Sequence, residues 1–427
     1  MNAQINTSGF IMKNVSVKEE YTTSKSVSDS TKKNAASFVI QAKKIARKMA
    51  TNYNIKKKAF EAASTSFHQN GNLDISRIHS YKTSDDIFKR KVMLKEGQSH
   101  GLVCTLDFSS SMKSLIPAVA KQFLITSLFC KYINIEFRFF TFTSDYANRG
   151  NGDAYMAKNA FKLVGGEEYA RFVDIGNQTM SEKQLIESFY HILSFVKVSY
   201  SSSTVFSLKY DAYLKRTFKD MSCTPLLAAA YQTFLVAKDM QSRGIQNVNI
   251  LTINDGDNNC YFLNDTNLQQ LSVEDPFTRR IYDVNPKNVG KNGILSAINK
   301  MVRDNGIKTY NMFLDKDMST DDIISTTNTY LYSTDIPTRR LPVDVISKLY
   351  KDVMAKGMAE IKNLAFYDSV ILVDTVIFPT LENEKIISAT DPLYLEKRAA
   401  GIKKLAALGT FLSDIMVEDF KLSNLPK

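Results

Sequence analysis

Between residues 101 and 314 the chain alternates two kinds of segment, and this alternation narrows the possible folds more than any other feature. Residues 102–106, Asn134–Phe142 (NIEFRFFTF), Asn247–Asn254 (NVNILTIN) and Lys308–Leu314 are dense in apolar, β-branched and aromatic residues and read as buried strands. Between them, Lys113–Tyr132, Glu182–Val196 and Ile294–Arg303 carry apolar residues at helical spacing. A further helix opens at Cys223-Thr224-Pro225-Leu226 and runs to about Lys238, with Thr224 as a natural N-cap and Pro225 in the first turn. Strand and helix in turn predict a mostly parallel, doubly wound α/β sheet with helices on both faces.

The remaining segments are less regular. Gly71–His79 reads as a turn and a capped helical segment, and Tyr81–Val92 leads into an edge strand. Asp145–Glu168 and Tyr261–Lys291 read as excursions from the sheet, with Phe172–Ile175 a short strand between them. Beyond Asp335, helices are expected at Val343–Met358 and Leu395–Ile415, while Ala365–Val373 is ambiguous between strand and helix. The expected organisation is a flexible tail over 1–30, a basic helical region over 31–97, the α/β domain over 98–330 and a mostly helical region over 331–427.

Gly101–Met112, GLVCTLDFSSSM, carries the densest chemistry. It ends a strand on Asp107-Phe108-Ser109-Ser110-Ser111, at the sheet edge where open α/β folds bind ligands. Crowded oxygens at that place suit a hard cation. They equally suit a helix cap, with Asp107 or Ser109 satisfying free backbone N–H groups. Distant residues bear on the choice: Asp255 ends the strand Asn247–Asn254, and Thr224 opens a helix that faces the same edge.

The 427 residues carry a net charge of +11, much of it between Thr31 and Phe60, where nine basic residues meet no acidic one. Phe38, Val39, Ala42, Ala46, Met49 and Tyr53 interleave with them at helical intervals, so this is an amphipathic helix with a basic outer face. Such a face would pack as a solvated surface, meet an acidic protein, or neutralise the phosphates of nucleic acid. No run approaches the roughly 18 apolar residues of a membrane span, and the first thirty residues hold no signal-peptide core, so a cytoplasmic protein is expected. Cys104, Cys130, Cys223 and Cys260 show no CxxC spacing, and reduced thiols follow. There is no GxxxxGK[ST], no HExxH and no calcium loop, since position twelve counted from Asp255 is Thr266.

Asp107, Ser109, Ser111, Thr224 and Asp255, with TPLLAAA following Thr224 and Gly256 after Asp255, resemble the metal-ion-dependent adhesion site of von Willebrand factor type A (VWA) domains. The resemblance covers roughly residues 98–330, with Asn254 standing where a Thr is usual. GNLDISRI followed by LDFSSSM is also similar to the carboxyl-terminal part of CobT-like cobaltochelatase subunits and their phage-encoded relatives. The resemblance implies Mg²⁺ (or Mn²⁺) held largely by hydroxyls and water, with one position left for a carboxylate of a protein partner. It further implies a separate MoxR- or CobS-like AAA+ ATPase that remodels a client or inserts a metal. A stand-alone, phage-encoded binding or scaffolding protein is the alternative. A metal-assisted hydrolase would need a general base that the sequence does not identify.

Overall fold

The computed structural model describes residues 3–4, 15–16, 29–64, 66–68, 91–93, 99–109, 111–144, 160–163, 166–201, 226–255, 271–283, 291–315, 318–324, 341–362 and 367–374. The architecture is mixed α/β around one nine-stranded sheet. Its body consists of β1 (His100–Asp107), β2 (Glu136–Ser144), β3 (Gly166–Asn177), β4 (Asn247–Asn254), β5 (Lys308–Asp315), β6 (Met358–Lys362) and β7 (Ser369–Asp374). Across the sheet the order is β6-β7-β5-β4-β1-β2-β3, with Val15–Ser16 beyond β3 and Ala160–Leu163 also paired to β3. β7, β5, β4, β1 and β2 run parallel. β3 and β6 are antiparallel to their neighbours.

The helices are α1 (Asp29–Ser64), α2 (Ile116–Tyr132), α3 (Glu182–Ser201), α4 (Leu226–Ser242), α5 (Lys291–Asp304) and α6 (Val343–Lys356). Strand alternation sorts the core into two layers. Leu102, Cys104, Leu106, Leu251 and Ile253 face one way, into a cluster with Phe123 and Phe129 of α2 and Phe189 of α3. Val103, Val248, Ile250, Val370 and Leu372 face the other, into a cluster with Phe234 of α4, Ile298 of α5 and Val353 of α6. Both faces of β1 and β4 are therefore covered, which is why these strands are buried along nearly their whole length and show no simple apolar–polar alternation in the sequence.

α1 lies over α2 and α3. Its buried side is Ala35, Phe38, Val39, Ala42, Ala46, Met49, Ala50 and Tyr53. The Phe38 ring sits 5.6 Å from that of Phe189, and the Tyr53 ring meets the Phe129 ring edge-on at 6.1 Å. Small alanines let the helix approach closely, while Phe38 and Tyr53 supply the apolar area. Lys33, Lys44, Arg47, Lys48 and Lys58 are exposed, so the basic outer face expected from the sequence is present.

Several expectations change. The segment read as a short strand at Phe172–Ile175 is the twelve-residue β3, and Ala160–Leu163 within the expected excursion pairs with it. Leu271–Glu274 and Ile281–Asp283, inside the second excursion, pair antiparallel in a small separate sheet that includes Ala3–Gln4 of the expected tail. The region from 331 is not simply helical: within the stretch ambiguous between strand and helix, β7 forms from Ser369, β6 precedes it, and both extend the main sheet. The α/β unit therefore does not close at residue 330. The Gly71–His79 segment and the helix at Leu395–Ile415 lie outside the described residues.

Candidate functional site

The parallel register of β1 and β4 builds the site. Leu106 pairs with Ile253, so Asp107 and Asp255 leave neighbouring strands at the same carboxyl edge. Asp107 is fully buried, and its Oδ1 accepts the backbone N–H of Ser109 at 2.7 Å, which turns the chain back over the strand end. The N–H of Phe108 bonds to the carbonyl of Phe142 at 2.9 Å and ties the turn to β2. Ser109 is buried and Ser111 exposed.

A chain of hydroxyls links the two strand ends. Ser111 Oγ donates to Asp255 Oδ1 at 2.9 Å, and Ser109 Oγ lies 3.0 Å from Ser111 Oγ. A hydroxyl owns one proton. Because Ser111 gives its proton to Asp255, Ser109 must be the donor to Ser111. Lone pairs remain on both serine oxygens.

The cap alternative also has a structural counterpart, for the Asp107–Ser109 bond satisfies a backbone donor. It does not account for Asp255, which comes from a strand 144 residues away to accept from Ser111. The bond from Phe108 to Phe142 is backbone, and α2 begins only at Ile116 with no side-chain cap.

Burial holds the Asp255 carboxyl above its ordinary value, against the pull of the Ser111 hydroxyl; the charge of Asp315 pushes the same way as burial. A cation would relieve both effects, since it favours the charged carboxylate. The donor set is hydroxyl and carboxylate oxygen, which fits a hard ion such as Mg²⁺ rather than zinc. Among the described residues no three His, Cys, Asp or Glu side chains converge on one point, so an ion here would depend on the serine hydroxyls.

Of the five residues expected from the sequence, Asp107, Ser109, Ser111 and Asp255 come together, while Thr224 lies outside the described residues. Of two further neighbours, one was not foreseen and the other was noted only as a departure at the position before Asp255. Asp315 ends β5 beside β4, and Asn254 immediately precedes Asp255 with its side chain fully buried. The signal for Asn254 was available in the sequence: Thr252 and Asn254 are polar at alternate positions of the strand half that otherwise holds Ile250, Leu251 and Ile253. Cys104 and Cys130 are buried free thiols whose pKa burial pushes up, which makes them unreactive. Cys223 and Cys260 lie outside the described residues. No described helix is long and apolar enough to cross a membrane.

No family model matches the sequence, and a search of curated proteins returns no match. Among solved structures, the pilus adhesin SpaC from Lactobacillus rhamnosus GG is similar at 12% identity over 57% of this chain and 28% of that one, with a TM-score of 0.30. Its open conformation gives 13% identity over 61% and 30%, again at 0.30. Proximal thread matrix protein 1 from the mussel byssus is 8% identical over 62% of this chain and 50% of that one, at 0.25. The chain thus spans under a third of the adhesin and half of the mussel protein. Likenesses this faint carry nothing about what the chain does.

Proposed function

We propose that the carboxyl edge of β1 and β4 is a divalent-cation clasp for a partner protein, of the VWA type. The observation that carries this is the hydrogen-bonded run Ser109–Ser111–Asp255, which gathers oxygens from two distant parts of the chain at one point beside Asp107. The parallel order β5-β4-β1-β2 with an antiparallel β3 supports the same reading. Ser109, Ser111 and Asp255 would hold Mg²⁺ or Mn²⁺, Asp107 would act beside them, and Thr224 is assigned with them on the VWA resemblance. Two neutral hydroxyls leave much of the ion's charge unneutralised, so it would attract an anionic oxygen from outside. A carboxylate of the partner fits that need.

On the CobT-like resemblance, the clasp serves a separate MoxR- or CobS-like AAA+ ATPase, with the chain as its non-catalytic, client-binding subunit. Affinity capture from lysate in Mg²⁺ and in EDTA, wild type against Asp107→Ala, tests the clasp. Capture that needs Mg²⁺ and is lost in the variant supports it. Capture unchanged by EDTA overturns it.

The outer face of α1 favours a second contact. Lys33, Lys44, Lys48 and Lys58 stand exposed along one side of a 36-residue helix whose other side is packed on the domain. We propose that this stripe neutralises phosphates of nucleic acid. Binding of duplex DNA that weakens steeply with salt, and is lost in a Lys44→Glu, Lys48→Glu variant, is the expected result; salt-independent binding excludes it.

A further inference from the structure

Directly behind the clasp are polar side chains that the fold does not use. Asn254 and Asn311 are both fully buried, and neither Oδ1 nor Nδ2 of either residue has a hydrogen-bond partner within the chain. Buried polar groups are almost always satisfied, and those that are not call for a reason.

Register places these groups under the site. Thr105, Thr252 and Asn311 are successive partners across β1, β4 and β5, on the face covered by α4 and α5. The next same-face positions toward the carboxyl edge are Asp107 on β1 and Asn254 on β4, because Leu106 pairs with Ile253 one residue earlier. Asn254 therefore stands one strand over from Asp107, on the same face. Thr105 Oγ1 donates to Thr252 Oγ1 at 3.4 Å, so the row beneath is polar as well. On β5 the position opposite Asn254 is Phe313, which closes the row on that side.

We infer that Asn254, backed by Asn311, is a positioning residue of the cation site and sets which ion it prefers. This rests on the clasp proposed above. A carboxamide offers one donor and one acceptor side. Nδ2 is suited to donate to the Asp107 carboxylate, and Oδ1 to accept from a water in the ion's shell. Mg²⁺ retains waters that need acceptors in fixed places, whereas Ca²⁺ takes more direct oxygen ligands in looser geometry. Losing the carboxamide would then weaken Mg²⁺ far more than Ca²⁺. Partners of this outer kind are worth about 10–100-fold in metal affinity.

The test is calorimetric titration of the full chain with MgCl₂ and with CaCl₂, together with melting of the ion-free chain. For Asn254→Leu, Mg²⁺ affinity is expected to fall about tenfold or more while Ca²⁺ changes by less than about threefold. The ion-free melting temperature is expected to hold or rise, because an apolar group of similar shape replaces an unsatisfied one. Asn254→Thr, which puts a hydroxyl donor and acceptor in place of the carboxamide and suits a strand, is expected to recover most of the Mg²⁺ affinity, and it serves should the Leu variant not fold. Equal loss for both ions, or no loss for either, overturns the inference. A wild-type chain that binds neither ion overturns the clasp itself, a separate failure visible before any variant is made.

Discussion

The two faces of the sheet solve different problems. The face under α1, α2 and α3 is filled with rings: Phe123 meets Phe139 at 5.4 Å, and Phe137 meets Phe139 at 5.5 Å, both edge-on. The opposite face begins in the same way, with Val103, Val248 and Ile250, but toward the carboxyl edge it turns polar through Thr105, Thr252, Asn254, Asn311 and Asp107. Apolar burial and ring contacts stabilise the fold on the first face. The polar end of the second contributes little to folding and sits where a ligand would. One sheet thus separates the residues that hold the chain together from those available for chemistry, and single substitutions can test the separation.

The largest effect is expected on the ring-filled face. Phe137→Ala removes a ring with no solvent exposure and should lower stability by about 3–5 kcal/mol, read as a drop in denaturant midpoint. Ion affinity should change little if the chain still folds. Asp107→Ala comes next: it should abolish the stabilisation by Mg²⁺, which for wild type at 100 times the dissociation constant is about 2.7 kcal/mol. A variant still stabilised by Mg²⁺ would mean that the polar end does not bind the ion through Asp107. Gly176→Ala is expected to cost about 1–3 kcal/mol, since an added Cβ would come within 2.9 Å of the Phe123 ring. Thermal melting checks this, with Mg²⁺ binding as the unaffected control.

How much of this was legible depends on how local the cause is. β1 and β4 are visible because both of their faces are covered, so each reads as a short segment rich in apolar and β-branched residues that leads to a carboxylate. Asp107 and Asp255 are visible for the same reason. β3 was read as only four residues because Glu167, Glu168 and Arg171 interrupt it; its partner β2 supplies the pairing across the sheet. β6 carries only Ala359 and Ile361 buried in five residues, and it forms by antiparallel pairing with β7, a tertiary decision that no window of sequence contains. Asn254 was noted only as a departure before Asp255, and Asn311 not at all, because an Asn in a strand looks like a weak propensity and its meaning appears only when the register sets it beside the row that ends on Asp107.

The smallest effect concerns how α1 is held to the ring-filled side. Lys43 Nζ lies 2.7 Å from Glu182 Oε1, and Tyr132 donates to Glu182 Oε2 at 2.9 Å. The Lys43 hydrogen bond holds the Glu182 carboxyl below its ordinary value, burial opposes it, and Tyr132 adds to the lowering. A carboxyl lowered in the folded state stabilises the fold above its unfolded pKa, and that stability is lost as pH falls through the folded value. Glu182→Gln should therefore cost only about 0.2–1 kcal/mol near neutral pH, because both partners are about a third exposed and a pair of this kind is screened. The variant and wild type should converge in stability as pH falls below the usual glutamate range, and also as salt rises. Parallel stability curves with a constant gap at every pH would show that Glu182 acts there through packing rather than charge. α1 would then be held chiefly by its buried side, with Phe38 and Tyr53 against their ring partners.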